Sequence, residues 1–305
     1  MHLPLATFAF LLLLIAIGRL LAWRRVLPER AADTLNLVVL YVNLPAMVLL
    51  YASRLQLNRA LLAVAAMPWL LLLISAAAVW LSARALRWPR AVTGALLLTV
   101  PLGNTSYLGY PLTRAILGAA ALPYAVAYDQ FGSFLILSTY GVLILAWYGH
   151  GVRPRPWHIA RRVLTFPAFL ALLLALAIAP TPLPHWLTAV LHPLSVALLP
   201  LVALAIGVQL KLKPDREHLA ALGTGLLLKM LALPLPLLAL LLAPLLGLHG
   251  AAAHTAVLES AMPPMITAAA LASMAGLTPR LAAAMVSYGI VLMLLILPLG
   301  LRLLH

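Results

Sequence analysis

Long apolar runs, each about the length of a membrane-spanning helix, follow one another along almost the whole chain. A helix needs about 20 mostly apolar residues to cross the hydrocarbon core of a bilayer. Charged residues make up only 9% of the 305 positions, against roughly 25% in soluble domains. The sequence therefore predicts an all-α membrane protein with ten transmembrane spans, at 4–22, 35–53, 60–82, 92–112, 121–147, 163–180, 187–210, 219–246, 251–275 and 280–303.

Basic residues orient these spans, because loops on the cytoplasmic side of a membrane carry an excess of Lys and Arg. Clusters such as 84-RALRWPR-90 and 153-RPRPWHIARR-162 lie in odd-numbered loops, whereas the even-numbered loops contain few basic residues. We expect the odd-numbered loops to be cytoplasmic and both termini to lie outside, in a bacterial-type inner (plasma) membrane. The net charge of +14 therefore reflects topology, and no nucleic-acid partner is expected.

Several kinds of chemistry are excluded by what the sequence lacks. There is no cysteine, which rules out thiolate nucleophiles and cysteine-ligated metals. H-E-x-x-H zinc motifs, G-x-S-x-G nucleophile motifs and Walker phosphate-binding motifs are also absent. We therefore predict no catalytic residue, no metal site and no cofactor, while coupling to Na⁺ or H⁺ stays open.

Two of the apolar runs are interrupted by residues that break helices. The stretch 101-PLGNTSYLGYP-111 places two prolines and two glycines within the fourth span, and Pro263 and Pro264 lie together in the ninth. Proline removes a backbone donor and glycine weakens a helix. A matched pair of interrupted spans indicates the substrate site of a secondary transporter. The alternative is a kinked, protein-buried helix in which Asn104 only joins neighbouring helices.

Interrupted helices bring half-helix ends together inside the membrane. Each N-terminal end carries about half a positive charge and each C-terminal end about half a negative one. The N-terminal ends, expected near Tyr107–Leu108 and Met265–Ile266, suit an anion, while the freed carbonyls around Gly103 and Ala261 suit a cation. The substrate-binding candidates are Gly103, Asn104, Thr105, Ser106, Tyr107, Pro111, Met262, Pro263, Pro264 and Met265.

Ionisable groups inside membrane spans are rare and are functional candidates by default. Asp129, Lys229 and Glu259 are therefore candidates for coupling or gating. Structural alternatives stay open: Glu259 paired with Lys229, Asp129 near the outer end of its span, and Lys229 reaching the interface. The scaffold-side candidates are Asn43, Pro45 and Gln209. For Asn43 and Gln209 the alternative is hydrogen bonding between helices.

The longest polar connection, 148–162, divides the spans into two groups of five. Because five is odd, the second group must run opposite to the first, as in inverted-repeat transporters. The sequence predicts a first inverted repeat at 1–147 (spans 1–5), a cytoplasmic linker at 148–162, and a second inverted repeat at 163–305 (spans 6–10).

Three segments together resemble one known family. The segment 103-GNTSYLGYP-111 resembles the N-T-x-x-x-G-x-P signature of the auxin efflux carrier (PIN-like) family, which includes short bacterial permeases of the malonate or malate type. The segments 42-VNLPAMVL-49 and 259-ESAMPP-264 are similar to the proline-bearing second and ninth spans of that family. The resemblance extends over essentially the whole chain.

The resemblance implies a bile-acid-symporter-like or NhaA-like fold, in which two inverted five-helix repeats carry crossing broken helices. It implies a scaffold domain of spans 1, 2, 6 and 7, a transport domain of spans 3–5 and 8–10 that moves as an elevator, and a homodimer joined through the scaffold domain. The family's substrate-contacting Asn corresponds to Asn104, and its crossover prolines correspond to Pro111 and Pro263. Met265 departs from the small residue common in plant members, and the long plant loop is absent, so auxin is not implied as substrate.

Residues and resemblance together predict a secondary transporter, not an enzyme. We expect small organic anions (carboxylates) to cross the inner membrane by elevator-type alternating access. One alternative is a sodium- or proton-coupled symporter or antiporter of the same fold. An alternative of another class is an intramembrane hydrolase that uses Asp129 and Glu259 as paired carboxylates. The expected partners are a small carboxylate substrate, the lipid bilayer and a second copy of the chain.

Overall fold

A computed structural model describes residues 5–28, 30–55, 58–149, 164–179, 183–210, 216–231 and 244–303, together with 157, 161 and 181. Within these ranges the regular secondary structure is helical. Most of the predicted 148–162 linker and residues 232–243 of the eighth predicted span lie outside the described residues.

Helices occur in the described part of every predicted span, because the apolar runs satisfy their backbone groups internally, as hydrocarbon requires. They are α1 (Leu5–Trp23), α2 (Ala31–Val38), α3 (Leu44–Ala52), α4 (Arg59–Ala85), α5 (Arg90–Thr99), α6 (Tyr110–Leu117), α7 (Leu122–Tyr128), α8 (Phe134–Ile136), α9 (Val142–Tyr148), α10 (Pro167–Ile178), α11 (His185–Gln209), α12 (Leu219–Leu226), α13 (Gly250–Ser260), α14 (Ile266–Met274) and α15 (Pro279–Leu303).

In the part of the chain that the structure describes, five continuous helical segments have the length and hydropathy needed to cross a membrane by themselves: Ala31–Ala52, Arg59–Ala85, Ala119–Tyr148, His185–Gln209 and Pro279–Ile296. Large apolar side chains also face outward, such as Leu62 and Leu73 on α4, which are 64% and 68% exposed. Helices that are apolar on all sides suit a lipid environment. The chain is thus a multi-pass membrane protein, while the count of ten spans and the inverted repeat stay predictions.

π-helical turns connect several of these helices. They lie at Val39–Asn43, Thr105–Gly109, Asp129–Ser133, Leu137–Gly141 and Leu227–Leu231. A π turn inserts a residue into a helix and is frequent at functional sites. Four of these turns contain predicted site residues, namely Asn43, Thr105 to Tyr107, Asp129 and Lys229.

Small residues bring α1 and α11 into close contact. A Cβ placed on Gly207 would lie 3.0 Å from Gly18 Cα and 2.9 Å from the Arg19 backbone nitrogen, so only glycine fits. Such contacts are typical of helix pairs in membranes. Asn43 adds a polar link to the same group, because its Nδ2 donates to the Leu194 carbonyl of α11 at 2.8 Å. Asn43 therefore makes the kind of hydrogen bond between helices that the sequence predicted as the alternative to a site role.

Candidate functional site

Two interrupted helical segments cross each other in the interior of the protein. One is interrupted between the end of α5 at Thr99 and the π turn that begins at Thr105, and the other between the end of α13 at Ser260 and the start of α14 at Ile266. We call residues 100–104 and 261–265 the crossing. Gly103 and Pro264 form an antiparallel bridge there. The backbone N–H of Asn104 donates to the Pro263 carbonyl at 2.8 Å, and that of Met265 donates to the Leu102 carbonyl at 3.0 Å.

Proline explains why the fourth span stops being helical at this point. Pro101 lacks the N–H that a continuous helix would direct at the Leu97 carbonyl. The Tyr140 hydroxyl donates to that carbonyl instead, at 3.0 Å. In the other segment of the crossing, Pro264 packs closely on α15. A Cβ at Gly289 of α15 would overlap the Pro264 ring.

The first half-helix begins at an earlier residue than the sequence predicted. Helical turns resume at Thr105, not at Tyr107–Leu108. The difference arises because a π turn lets the Asn104 carbonyl accept from the N–H groups of both Leu108 and Gly109, each at 3.2 Å. The second half-helix starts at Ile266, where the sequence placed it.

A cavity of about 320 Å³ lies against the crossing. We call it the main cavity. One wall comes from the crossing and the two following half-helices, with Asn104, Ser106, Tyr107, Met265 and Thr267. The opposite wall comes from the second and sixth predicted spans, and its residues are Leu40, Tyr41, Leu44, Phe166 and Pro167. Its volume falls in the range of small-molecule binding sites.

Asn104 offers this cavity an unused donor. Its side chain is 3% exposed, and its Nδ2 atom has no hydrogen-bond partner in the described part of the chain. A buried donor without a partner is costly to leave unsatisfied. The Asn104 amide is therefore a candidate donor to a ligand at this position.

Asp129 also lines the main cavity and is surrounded by donors. Its Oδ1 accepts from the hydroxyls of Thr105 and Ser106, the latter at 2.7 Å. Its Oδ2 accepts from the Tyr110 hydroxyl at 2.7 Å and from Gln130 Nε2 at 2.8 Å. The side chain is 1% exposed and bonds to the first turn of the half-helix that begins at Thr105, while its place near the outer end of its span stays a prediction.

Sequence reasoning did not select Tyr110, Thr113 or Gln130 as site residues. Tyr110 and Gln130 complete the hydrogen-bond network of Asp129, and Gln130 Oε1 has no partner among the described residues. A usable signal was the polar pair Asp129–Gln130 inside an apolar run. Thr113 gave a weaker signal, because one hydroxyl in a membrane helix commonly bonds only to its own backbone.

Glu259 and Lys229 line a second, smaller cavity with room for about one water molecule. We call it the small cavity. Glu259 Oε1 accepts from the Thr113 hydroxyl at 3.0 Å, while its Oε2 has no partner in the described residues. The predicted Lys229–Glu259 pairing is not formed as an ion pair within 4.0 Å. Asp129 lines the main cavity and not the small cavity. No hydrogen bond joins Asp129 to Glu259 in the described residues.

The remaining predicted residues lie at several places. Met262, Pro263 and Pro264 belong to the crossing, and Met262 is fully buried. Pro111 lies in the first turn of α6 and lines a separate cavity beside Arg114, so it does not line the main cavity. On the scaffold side, Pro45 is in the first turn of α3, and Gln209 lines a cavity of about 180 Å³ at the end of α11.

Interrupted membrane helices that cross beside an internal cavity are the architecture of a membrane transporter. The chain belongs to the membrane transport protein family, whose profile matches residues 5–301. This is the family of the auxin efflux carriers, as the sequence resemblance predicted.

Two archaeal relatives agree with this assignment. The chain is 30% identical over 298 residues to an uncharacterised transporter of Methanothermobacter thermautotrophicus, covering 96% of each chain. It is 25% identical over 277 residues to an uncharacterised transporter of Methanocaldococcus jannaschii, covering 85% of each.

Proposed function

We propose that this protein is a secondary transporter of small organic anions that carry a carboxylate group, in a bacterial-type inner membrane. The observation that carries the proposal is the unpartnered Asn104 amide beside a cavity of about 320 Å³. An amide donor at a half-helix N-terminus suits a carboxylate, because the first N–H groups of a helix have no partner within it.

Both half-helix N-termini can contribute to this anion site. The turn that begins at Thr105 and the helix that begins at Ile266 follow directly from the crossing, and Ser106 and Thr267 line the cavity. A carboxylate that accepts from Asn104 would therefore meet partial positive charge from two helices. The apolar remainder of a ligand would lie against the opposite wall, which includes Leu44.

The position of the main cavity supports movement of the elevator type. Asn104 belongs to the predicted transport domain (spans 3–5 and 8–10), whereas Tyr41 and Phe166 belong to the predicted scaffold (spans 1, 2, 6 and 7). A ligand held by the crossing would face opposite sides of the membrane as one domain slides along the other. We propose the scaffold as the homodimer interface on the family resemblance.

A coupled symporter or antiporter is the second candidate, and Asp129 is the observation that favours it. The Asp129 carboxyl lines the same cavity as Asn104. An anionic ligand and an ionised carboxylate would repel each other in a site of low dielectric. A proton or another cation that accompanies the substrate would remove this repulsion.

An enzyme is less well supported than a transporter. Asp129 and Glu259 are committed to different hydroxyl partners and line different cavities. The family and the relatives are transporters.

A thermal-shift screen of the purified protein tests the carboxylate proposal. Small mono- and dicarboxylates, with indole-3-acetate included, are compared in sodium and in sodium-free buffer. A bound ligand raises Tm by mass action. We expect at least one carboxylate to raise Tm in the wild type and in Asn36→Ala, but not in Asn104→Ala. Normal carboxylate binding by Asn104→Ala, or stabilisation by cations alone, would overturn the proposed site.

A further inference from the structure

The Lys229 ammonium is buried directly behind the crossing. Lys229 lies on the π turn Leu227–Leu231 and is 1% exposed. Its Nζ lies 3.4 Å from the position that a Cβ on Gly103 would take, and the Met262 carbonyl oxygen lies 3.4 Å from the same position. Lys229 therefore reaches the point where the two interrupted segments meet.

Lys229 lies near two helix ends and makes no ion pair with a described residue. A buried ammonium is costly unless charges or dipoles stabilise it. In the described part of the chain no carboxylate oxygen lies within 4.0 Å of Nζ. The small cavity instead places Lys229 beside Pro101 and Ser260, at the C-terminal ends of α5 and α13. Each such end carries about half a negative charge.

The same surroundings contain oxygen atoms suited to a metal cation. Thr105, Ser133 and Glu259 line the small cavity with Lys229, and Glu259 Oε2 has no partner in the described residues. Carboxylate, hydroxyl and carbonyl oxygens are the ligands that hard cations prefer. With Lys229 in place, the small cavity has room for about one water molecule.

We infer that the Lys229 ammonium occupies the cation position of the crossing as a permanent part of the protein, so that no sodium ion binds there in the wild type. The inference rests on the proposed transport function and adds that substrate movement does not need sodium at this position. Removal of the ammonium would leave a site for a monovalent metal cation, with the Glu259 carboxylate as its charged ligand.

Thermal unfolding of the purified protein in detergent tests the inference. Wild type and Lys229→Gln are each measured in sodium chloride and in N-methylglucamine chloride at equal ionic strength. We expect the wild-type Tm to be the same in both salts. We expect sodium to raise the Tm of Lys229→Gln by about 2–4 °C or more at saturation. In Lys229→Gln/Glu259→Gln the rise should disappear, because the charged ligand is gone.

Two results would overturn the inference: a wild-type Tm raised specifically by sodium, or a folded Lys229→Gln that responds to no monovalent metal cation. If Lys229→Gln does not fold, binding of radioactive sodium to the wild type is measured instead. Saturable sodium binding that is lost in Glu259→Gln would contradict the inference. Absence of sodium binding would support it. Lys229→Gln/Asn104→Ala separates this inference from the carboxylate site. It should keep the sodium response and lack carboxylate binding.

Discussion

The Glu259 carboxylate occupies the space that a side chain at Gly109 would need. A Cβ built on Gly109 would overlap both carboxylate oxygens of Glu259. Gly109 ends the π turn of the first interrupted segment, and Glu259 lies at the end of α13 in the second. The two segments are therefore joined by side-chain packing as well as by the backbone bridge.

Gly109→Ala should lower the stability of the protein. The added methyl must displace a buried carboxylate that the Thr113 hydroxyl holds at 3.0 Å, and overpacking of this kind costs about 1–3 kcal/mol. Thermal unfolding in detergent measures the change. Gly103→Ala is the matched control in the same crossing, because its Cβ would make only ordinary contacts of 3.4 Å or more. Equal Tm values for the two variants would contradict this packing.

Asp129→Asn should also lower stability, although the two side chains have nearly the same shape. The Asp129 oxygens accept from four donors, so an amide NH₂ would face donors in place of acceptors. An unsatisfied or repelled buried group costs about 1–3 kcal/mol. Asp33→Asn, on the exposed first turn of α2, is the control and should change stability by less than about 0.5 kcal/mol. An unchanged Tm for Asp129→Asn would argue against the network.

Tyr140→Phe tests whether the Tyr140 hydroxyl stabilises the helix end that Pro101 interrupts. Loss of the Tyr140 hydroxyl leaves the buried Leu97 carbonyl without the donor that replaces the missing proline N–H. The expected loss is about 1 kcal/mol in the free energy of unfolding. Tyr288→Phe is a suitable comparison, because its hydroxyl makes no hydrogen bond in the described part of the chain. A loss of equal size in Tyr288→Phe would show that the effect does not come from the hydrogen bond between Tyr140 and Leu97.

Gly207→Ala should weaken the contact between α1 and α11. Its methyl would meet the backbone of α1 at Gly18 and Arg19, which cannot move aside as a flexible side chain can. We expect a loss of about 1–3 kcal/mol. Gly223→Ala should act in the opposite direction and gain about 0.5–1 kcal/mol, since nothing lies within 4 Å of its Cβ position. A Tm for Gly207→Ala at or above the wild type would show that α1 and α11 adjust freely.

The positions of the helices and of both interruptions could be predicted from sequence, because each depends on local chemistry. Apolar runs mark membrane helices, and Pro101, Pro263 and Pro264 remove donors wherever they stand. The position of Asn104 in an interruption was also predictable, because it is a polar residue between helix breakers inside an apolar run. These features need no knowledge of what the residues contact.

The hydrogen-bond partners in the site could not be predicted, because they depend on how distant segments pack. Thr113 and Glu259 are 146 residues apart in sequence. The π turns were equally hidden, since an inserted residue leaves no mark in an apolar pattern of period 3.6. That is why the first half-helix begins at Thr105, ahead of the expected Tyr107–Leu108.

The two hydrogen bonds of the crossing also fix the spacing between the starts of the two following helices. Asn104 is tied to Pro263 and Met265 to Leu102 through the main chain, so side-chain substitutions nearby leave that spacing unchanged. The opposite wall of the main cavity, at Tyr41 for example, comes from a different part of the chain. In the proposed transporter, recognition of a ligand's charged head would therefore be separable from recognition of its tail, and tail preference could change while the head-group site stays the same.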